Sequence, residues 1–240
     1  MTMAACGSLT AETLGLSPAT AFPAAKGVLP KGLFAAKASA PLSAKTKQHL
    51  VHAVDSITML ALLRPSNTGL EASARMPEIL VLGVKLADGV RETPDDVIEL
   101  IASQRKSGIV FAVVRTAAHE GTTREECQFA VRRALPGRAG HTPTFRVFHG
   151  AWEPCGEAFL DVNGATMDEL WASLCSQIIL GSVDCADLDA RIARAERIRQ
   201  LEADVAKLSA DHARAKSPAQ RNEIYAKLHK AKNELAALTN

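Results

Sequence analysis

Glu78 and Lys85 stand in one apolar run, and Glu153, Glu157 and Asp161 follow further along the chain. Scattered carboxylates with a lysine on a small sheet are the parts from which a metal-dependent nuclease can be built, because the carboxylates hold a cation that activates water. The same residues equally suit solvent-facing strand positions, where charged side chains normally sit. His49 and His52 fall one helical turn apart, a spacing that suits a metal, yet no third or fourth ligand stands near them in sequence. They read as solvated or interface histidines. Cys6, Cys127, Cys155, Cys175 and Cys185 are odd in number and contain no C-x-x-C pair, which argues against a disulfide framework and against zinc. Buried reduced thiols fit them better.

Phosphate cradles need glycines at fixed spacing so that backbone amides can approach the phosphate, and neither the dinucleotide nor the P-loop pattern occurs. Gly137-Arg138-Ala139-Gly140 reads as a turn. There is no G-x-S-x-G elbow and no H-E-x-x-H helix. The expectation is therefore no catalytic residue, no metal and no cofactor.

Positive charge is local. From Phe22 to Arg64 the net charge is +5, against +2 for the whole chain. Lys26, Lys31, Lys37, Lys45 and Lys47, with Arg132 and Arg133 as an extension and Arg138 and Arg146 close by in sequence, are the residues that would neutralise phosphates in a nucleic-acid complex. Against that reading stand Glu120, Glu125 and Glu126, and an aromatic content of only 4% for base stacking.

The elements that would position these residues can be read from pattern. Residues 1–22, rich in Ala, Thr and Ser without a period, are expected to form a flexible tail. Ser43 is read as the N-cap of a helix reaching Leu63, with Leu50, Val54, Ile57 and Ala61 on its buried face. Glu78 to Leu86 is a strand buried on both faces. Thr93 caps a helix that has Pro94 at its first position and Asp95 and Asp96 in its first turn, with Gly108 past its end. Ile109 to Val114 is a second apolar strand, reached by a crossover. Cys127, Phe129 and Val131 alternate as on a half-buried strand, and Thr144 to Trp152 and Glu157 to Val162 are two further strands. Thr166 and Glu169 open a helix with Leu170, Leu174 and Ile178 on its apolar face, and Gly181 ends it.

The remainder is different in kind. Apolar residues from Leu188 to Leu208, and again from Ile224 to Leu238, keep to gaps of three and four with charge between them, as in coiled coils. Ser217-Pro218-Ala219-Gln220 supplies a cap, a first-position proline and a capping-box glutamine. An antiparallel, coiled-coil-like hairpin is expected, joining Leu201, Val205 and Leu208 to Ile224, Leu228 and Leu235 as a protein-binding element. The fold class is thus α+β or α/β, a small mixed sheet with flanking helices followed by that hairpin. The domains read as a tail over 1–22, a body over 23–183 and a hairpin over 184–240.

Hydrophobic residues make up 47% and charged residues 22%, as in ordinary globular proteins. No apolar run reaches the roughly 18–20 residues that span a bilayer. The N-terminus lacks a secretory pattern, so a cytoplasmic location is expected.

Phe22-Pro23, Leu29-Pro30-Lys31, Ser56-Ile57 through Leu60 and Leu63 to Arg64-Pro65, and Pro77-Glu78-Ile79 together resemble the bacterial and archaeal domain-of-unknown-function 4391 family. Gln220-Arg221-Asn222-Glu223, with Leu228, Lys232 and Leu235, is similar to that family's closing helix. The resemblance covers roughly residues 20–240. It supplies no catalytic residues. It implies a setting beside helicase-like and DNA methyltransferase proteins of restriction-modification or phage-defence systems.

The resulting expectation is a non-catalytic accessory or adaptor protein that self-associates or binds a protein partner through its hairpin, with no membrane contact. A nucleic-acid-binding module and a cryptic metal-dependent nuclease stand as alternatives.

Overall fold

The computed structural model of the chain describes residues 2–136 and 142–239. The expected turn over 137–140, with Arg138, lies outside them. The chain divides into two compact units, residues 1–186 and 187–240.

The first unit is built on a five-stranded sheet of β3 (Val54–Leu63), β4 (Ile79–Leu86), β5 (Gly108–His119), β6 (Thr122–Ala134) and β7 (Phe145–Pro154), ordered in space as in sequence. The β4–β5 pair is parallel and the other pairs are antiparallel, so the sheet is mixed. Before it come a two-residue-per-strand hairpin, β1 (Ala5–Cys6) and β2 (Leu9–Thr10), and three short helices, α1 (Ala24–Gly27), α2 (Lys31–Ala36) and α3 (Ala44–Gln48). α4 (Pro65–Thr68) follows β3, α5 (Asp95–Ser103) joins β4 to β5, and α6 (Met167–Leu180) follows β7.

β4 and β5 are apolar at nearly every position because both of their faces are covered. On one face Leu80, Leu82, Val84 and Leu86 meet Phe34, Leu50 and the apolar side of α5, namely Val97, Ile98 and Ile101. On the other, Cys6 lies against Gly83 so closely that a Cβ there would collide with it, and a Cβ at Gly108 would lie 2.6 Å from the Trp171 ring of α6. Each glycine is set by an element packed on the strand.

Four expectations are corrected. Residues 2–22 are no tail: Leu9 and Leu14 are fully buried, Phe22 N–H donates to Leu60 O at 2.9 Å, and Leu160 N–H donates to Leu14 O at 3.0 Å. The segment covers the edge of β3, which would otherwise be left with unpaired backbone groups. Second, Ser43 does cap a helix, accepting from Thr46 N–H at 3.0 Å, but α3 ends at Gln48, a π-helical turn spans His49–Ala53, and Val54–Leu63 is a strand. The apparent helical spacing there was a subset of a nearly continuous buried run, which carries no period that separates helix from strand. Third, Glu157 to Val162 is irregular chain, in which Gln177 receives Asp161 N–H at 2.9 Å. Fourth, α5 begins at Asp95 with Pro94 as its cap, Thr93 Oγ1 instead donates to Gln128 at 2.7 Å, and Gly108 opens β5.

The closing helix of the first unit is as expected: Thr166 accepts from Glu169 N–H at 3.2 Å, Leu170, Leu174 and Ile178 are buried, and Gly181 ends it in a left-handed conformation. The second unit is α7 (Leu188–Arg214) and α8 (Pro218–Thr239), packed on each other as a helical hairpin. Arg197 pairs with Glu234 and the Arg194 guanidinium Nε donates to Leu238 O at 2.9 Å, which sets the two helices antiparallel.

The buried N-terminal segment has a direct check. Leu9→Ala should lower the stability of the chain by about 2–5 kcal/mol in denaturant unfolding, the range for deleting a buried leucine. A tail would leave the midpoint unchanged.

Candidate functional site

In the second unit Leu188, Ile192, Leu201, Ala215 and Leu228 are buried, beside a half-covered seam. Leu201 and Leu228 are buried, whereas Val205, Leu208, Ile224 and Leu235, the other expected members of the interface, are only half-buried. Two helices alone cannot enclose a stripe on each, because a residue at the margin of the seam keeps one side toward solvent. Tyr225 is 57% exposed. Its ring lies 6.0 Å from that of His212 across the hairpin and 6.2 Å from that of His229 on the same helix. Arg221, Lys227, Lys230 and Lys232 give α8 an exposed basic surface, Lys227 being paired with Glu223 at 2.7 Å.

The basic residues of the body do not converge on one use. Lys26, Lys37, Lys45 and Lys47 are exposed, but Lys31 is drawn inward, its ammonium donating to Val51 O at 3.0 Å and Val54 O at 2.8 Å. Arg132 donates to Glu99 at 2.7 Å and lies 3.7 Å over the Phe145 ring, and Arg133 is half-buried. Arg146 covers Phe148 at 4.1 Å. These arginines are committed to the sheet.

The carboxylates considered for a nuclease are kept apart. Glu78 precedes β4 and Lys85 lies near its far end, which puts their Cα atoms about 23 Å apart at the usual strand rise. Glu78 accepts a two-pronged contact from Arg64, at 3.0 and 2.7 Å, and another from Ser107 at 3.2 Å. Lys85 pairs with Glu125 at 3.6 Å, and Glu125 also receives Ser8 N–H at 2.7 Å. Glu153 shares the row of Lys85 but is separated from it by Val114 and Cys127. Burial, and then the neighbouring Glu157 carboxylate, hold Glu153 above its ordinary range. Asp161 is exposed. Among the described residues no group of three His, Cys, Asp or Glu side chains is placed to hold a metal ion.

Cys6, Cys127, Cys155 and Cys175 are buried. Desolvation pushes Cys6 up to about 12 and Cys155 up to about 11, with Cys127 raised further still for the same reason. At neutral pH they are protonated, and a protonated thiol is neither a nucleophile nor a metal ligand.

One polar constellation was not legible in the sequence. His49 Nδ1 donates to Asp96 Oδ1 at 2.8 Å, and His149 Nε2 donates to Asp95 Oδ1 at 2.7 Å. The two aspartates of the first turn of α5 therefore tie down the π-helical turn and β7. Of the two histidines read as solvated or interface residues, His49 is half-buried in this pair and His52 is exposed. His49 and Asp96 line an open depression with Lys45, Arg91 and Thr93. Partners far apart in sequence gave no local signal.

Glu126 is the other polar anchor. Arg115 donates to it at 2.8 Å from one side and Arg124 at 2.8 Å from the other, and Arg115 also stacks 3.9 Å over Trp152.

The family model for a domain of unknown function, DUF4391, matches residues 14–235. No curated protein and no solved structure matches the chain.

Hydrogen bonds from Arg115, then Arg124, hold the Glu126 carboxyl below its ordinary value of 4.5. The stabilisation from a depressed carboxylate is fully present above that value and is lost as pH falls through the lower folded value. Glu126→Gln should therefore cost about 1–2 kcal/mol near neutral pH, because it leaves two partly exposed arginines without their carboxylate. The gap to the unaltered chain should close on acidification below 4.5. Urea unfolding of both chains across that pH range is the check, and a gap independent of pH would exclude the carboxylate charge as its source.

Proposed function

The chain belongs to the DUF4391 family, and from that premise we propose that it is a non-catalytic accessory or adaptor protein of a larger DNA-processing, restriction-modification or phage-defence assembly. The observation that supports this reading is the hairpin: a unit of its own, residues 187–240, whose apolar seam is half-covered at Val205, Leu208, Ile224 and Leu235. A third or fourth helix laid along that seam would complete the burial, as in helical bundles. The occupant is a partner protein or a second copy of the chain, and the basic surface of α8 suits an acidic partner face. A helicase-like or DNA methyltransferase partner follows from the family resemblance, and a cytoplasmic location goes with it. No helix among the described residues is long and apolar enough to cross a membrane.

A second reading has one observation in its favour. Lys26, Lys37, Lys45 and Lys47 are all exposed on the N-terminal segment, where they are free to approach phosphates. Such binding would weaken steeply with salt.

Removing residues 187–240 should leave a folded body and abolish self-association or capture of the partner, read by light scattering and by affinity purification from the native host. Val205→Glu with Leu235→Glu should do the same in the full chain without loss of helicity. Normal assembly by both variants would overturn the adaptor reading. So would cleavage of DNA with added Mg²⁺ or Mn²⁺ that is lost in Asp161→Ala or Glu78→Ala.

A further inference from the structure

The first unit contains an apolar cavity of about 240 Å³ between the sheet and the short helix α2. Its floor is Leu80 and Leu82, its side Ile101, and its roof Phe34. α2 is tied down at both ends. The Lys31 ammonium donates to Val51 O and Val54 O, and Gln104 Nε2 donates to Phe34 O at 2.7 Å. The space is therefore held open by anchored walls.

The space opens to solvent beside Leu33, Lys37 and Arg105, all exposed, while its inner lining of Leu80, Leu82 and Ile101 is aliphatic and buried. Water needs two to four polar partners to fill such a space. The amide nitrogen of Gln104 is already engaged, and the remaining walls are mostly hydrocarbon. An apolar body fits it instead. A dry cavity of roughly 150 Å³ takes benzene, so this one has room for about ten non-hydrogen atoms.

Lys37 and Arg105 are the charged residues of the lining. Lys37 is exposed and has no carboxylate in ion-pair contact among the described residues. Arg105 makes a 3.9 Å contact with Glu78, but that carboxylate is already held by Arg64 at 2.7 Å. Two cations at the edge of a hydrocarbon space favour a ligand with an anionic head and an apolar tail.

We propose that this cavity binds a small amphiphilic carboxylate, a medium-chain fatty acid or an aromatic acid of similar size, with the tail beneath α2 and the carboxylate between Lys37 and Arg105. The site lies wholly within the body and is independent of the hairpin reading.

Octanoate, 1-octanol and octylammonium can be titrated into the full-length chain by calorimetry, with thermal unfolding as a second readout. Octanoate should bind saturably and raise the melting temperature with concentration, as any ligand of the folded state does. Octanol should bind more weakly and octylammonium not at all. Lys37→Ala with Arg105→Ala, both at exposed positions, should weaken octanoate by about tenfold and leave octanol unchanged, since only the anion gains from the cations. Ile101→Phe, which fills the cavity, should remove binding of both. Absence of octanoate binding to the unaltered chain overturns the proposal. Equal affinity for octanoate and octanol, or octanoate affinity untouched by the double substitution, overturns it independently of whether the filled variant folds.

Discussion

Everything in the body depends on two adjacent parallel strands, β4 and β5, that are hydrophobic on both faces. A parallel pair cannot be closed by a short turn, so the chain must cross over, and α5 both makes that connection and covers one face. The second face then needs its own cover. It comes from the N-terminal β1–β2 hairpin and from α6, elements from opposite ends of the first unit. Gly83 and Gly108 mark where those covers press against the strands. A side chain at either would push a layer away, and the apolar area lost to water would weaken the core at about 25 cal/mol per Å².

Once both faces are sealed, charge has few places to go, and the polar groups left near the core are paired. Glu126 is held by two arginines, Glu78 by Arg64, and Glu125 by Lys85 and Ser8. Burial keeps the Cys6, Cys127 and Cys155 thiols protonated. Of the carboxylates that a hydrolytic site would need, Glu78 balances Arg64, whereas Glu153 faces Glu157 and Asp161 is exposed.

The hairpin follows a different principle. Its helices carry charge on every turn and leave Val205, Leu208, Ile224 and Leu235 half-buried, so apolar surface stays partly in water. Long helices in proteins gain most of their stability from packing an apolar face rather than from intrinsic propensity. A half-covered seam is therefore the natural place for a further chain to add stability, which is why the adaptor reading rests on it.

Local signals sufficed wherever an element's chemistry was contained within a few residues. Ser43, Thr166, Gly181 and Ser217 were legible as helix ends because a cap is a contact over three or four residues, and α7 and α8 because their period repeats over many turns. The core of β4 and β5 was legible because continuous burial needs a continuous apolar run. Tertiary structure decided the rest. Val54–Leu63 could have been helix or strand, and it became a strand because β4 offered a backbone ladder on one side and the N-terminal segment covered the other. Leu9 and Leu14 lack a local period, and only the exposed sheet face made them core. The pairing of His49 with Asp96 and of His149 with Asp95 was likewise set by which segments lie side by side. Spacing along the chain fixes what neighbours can share, while contacts between distant segments depend on the burial of faces that no single segment can close alone.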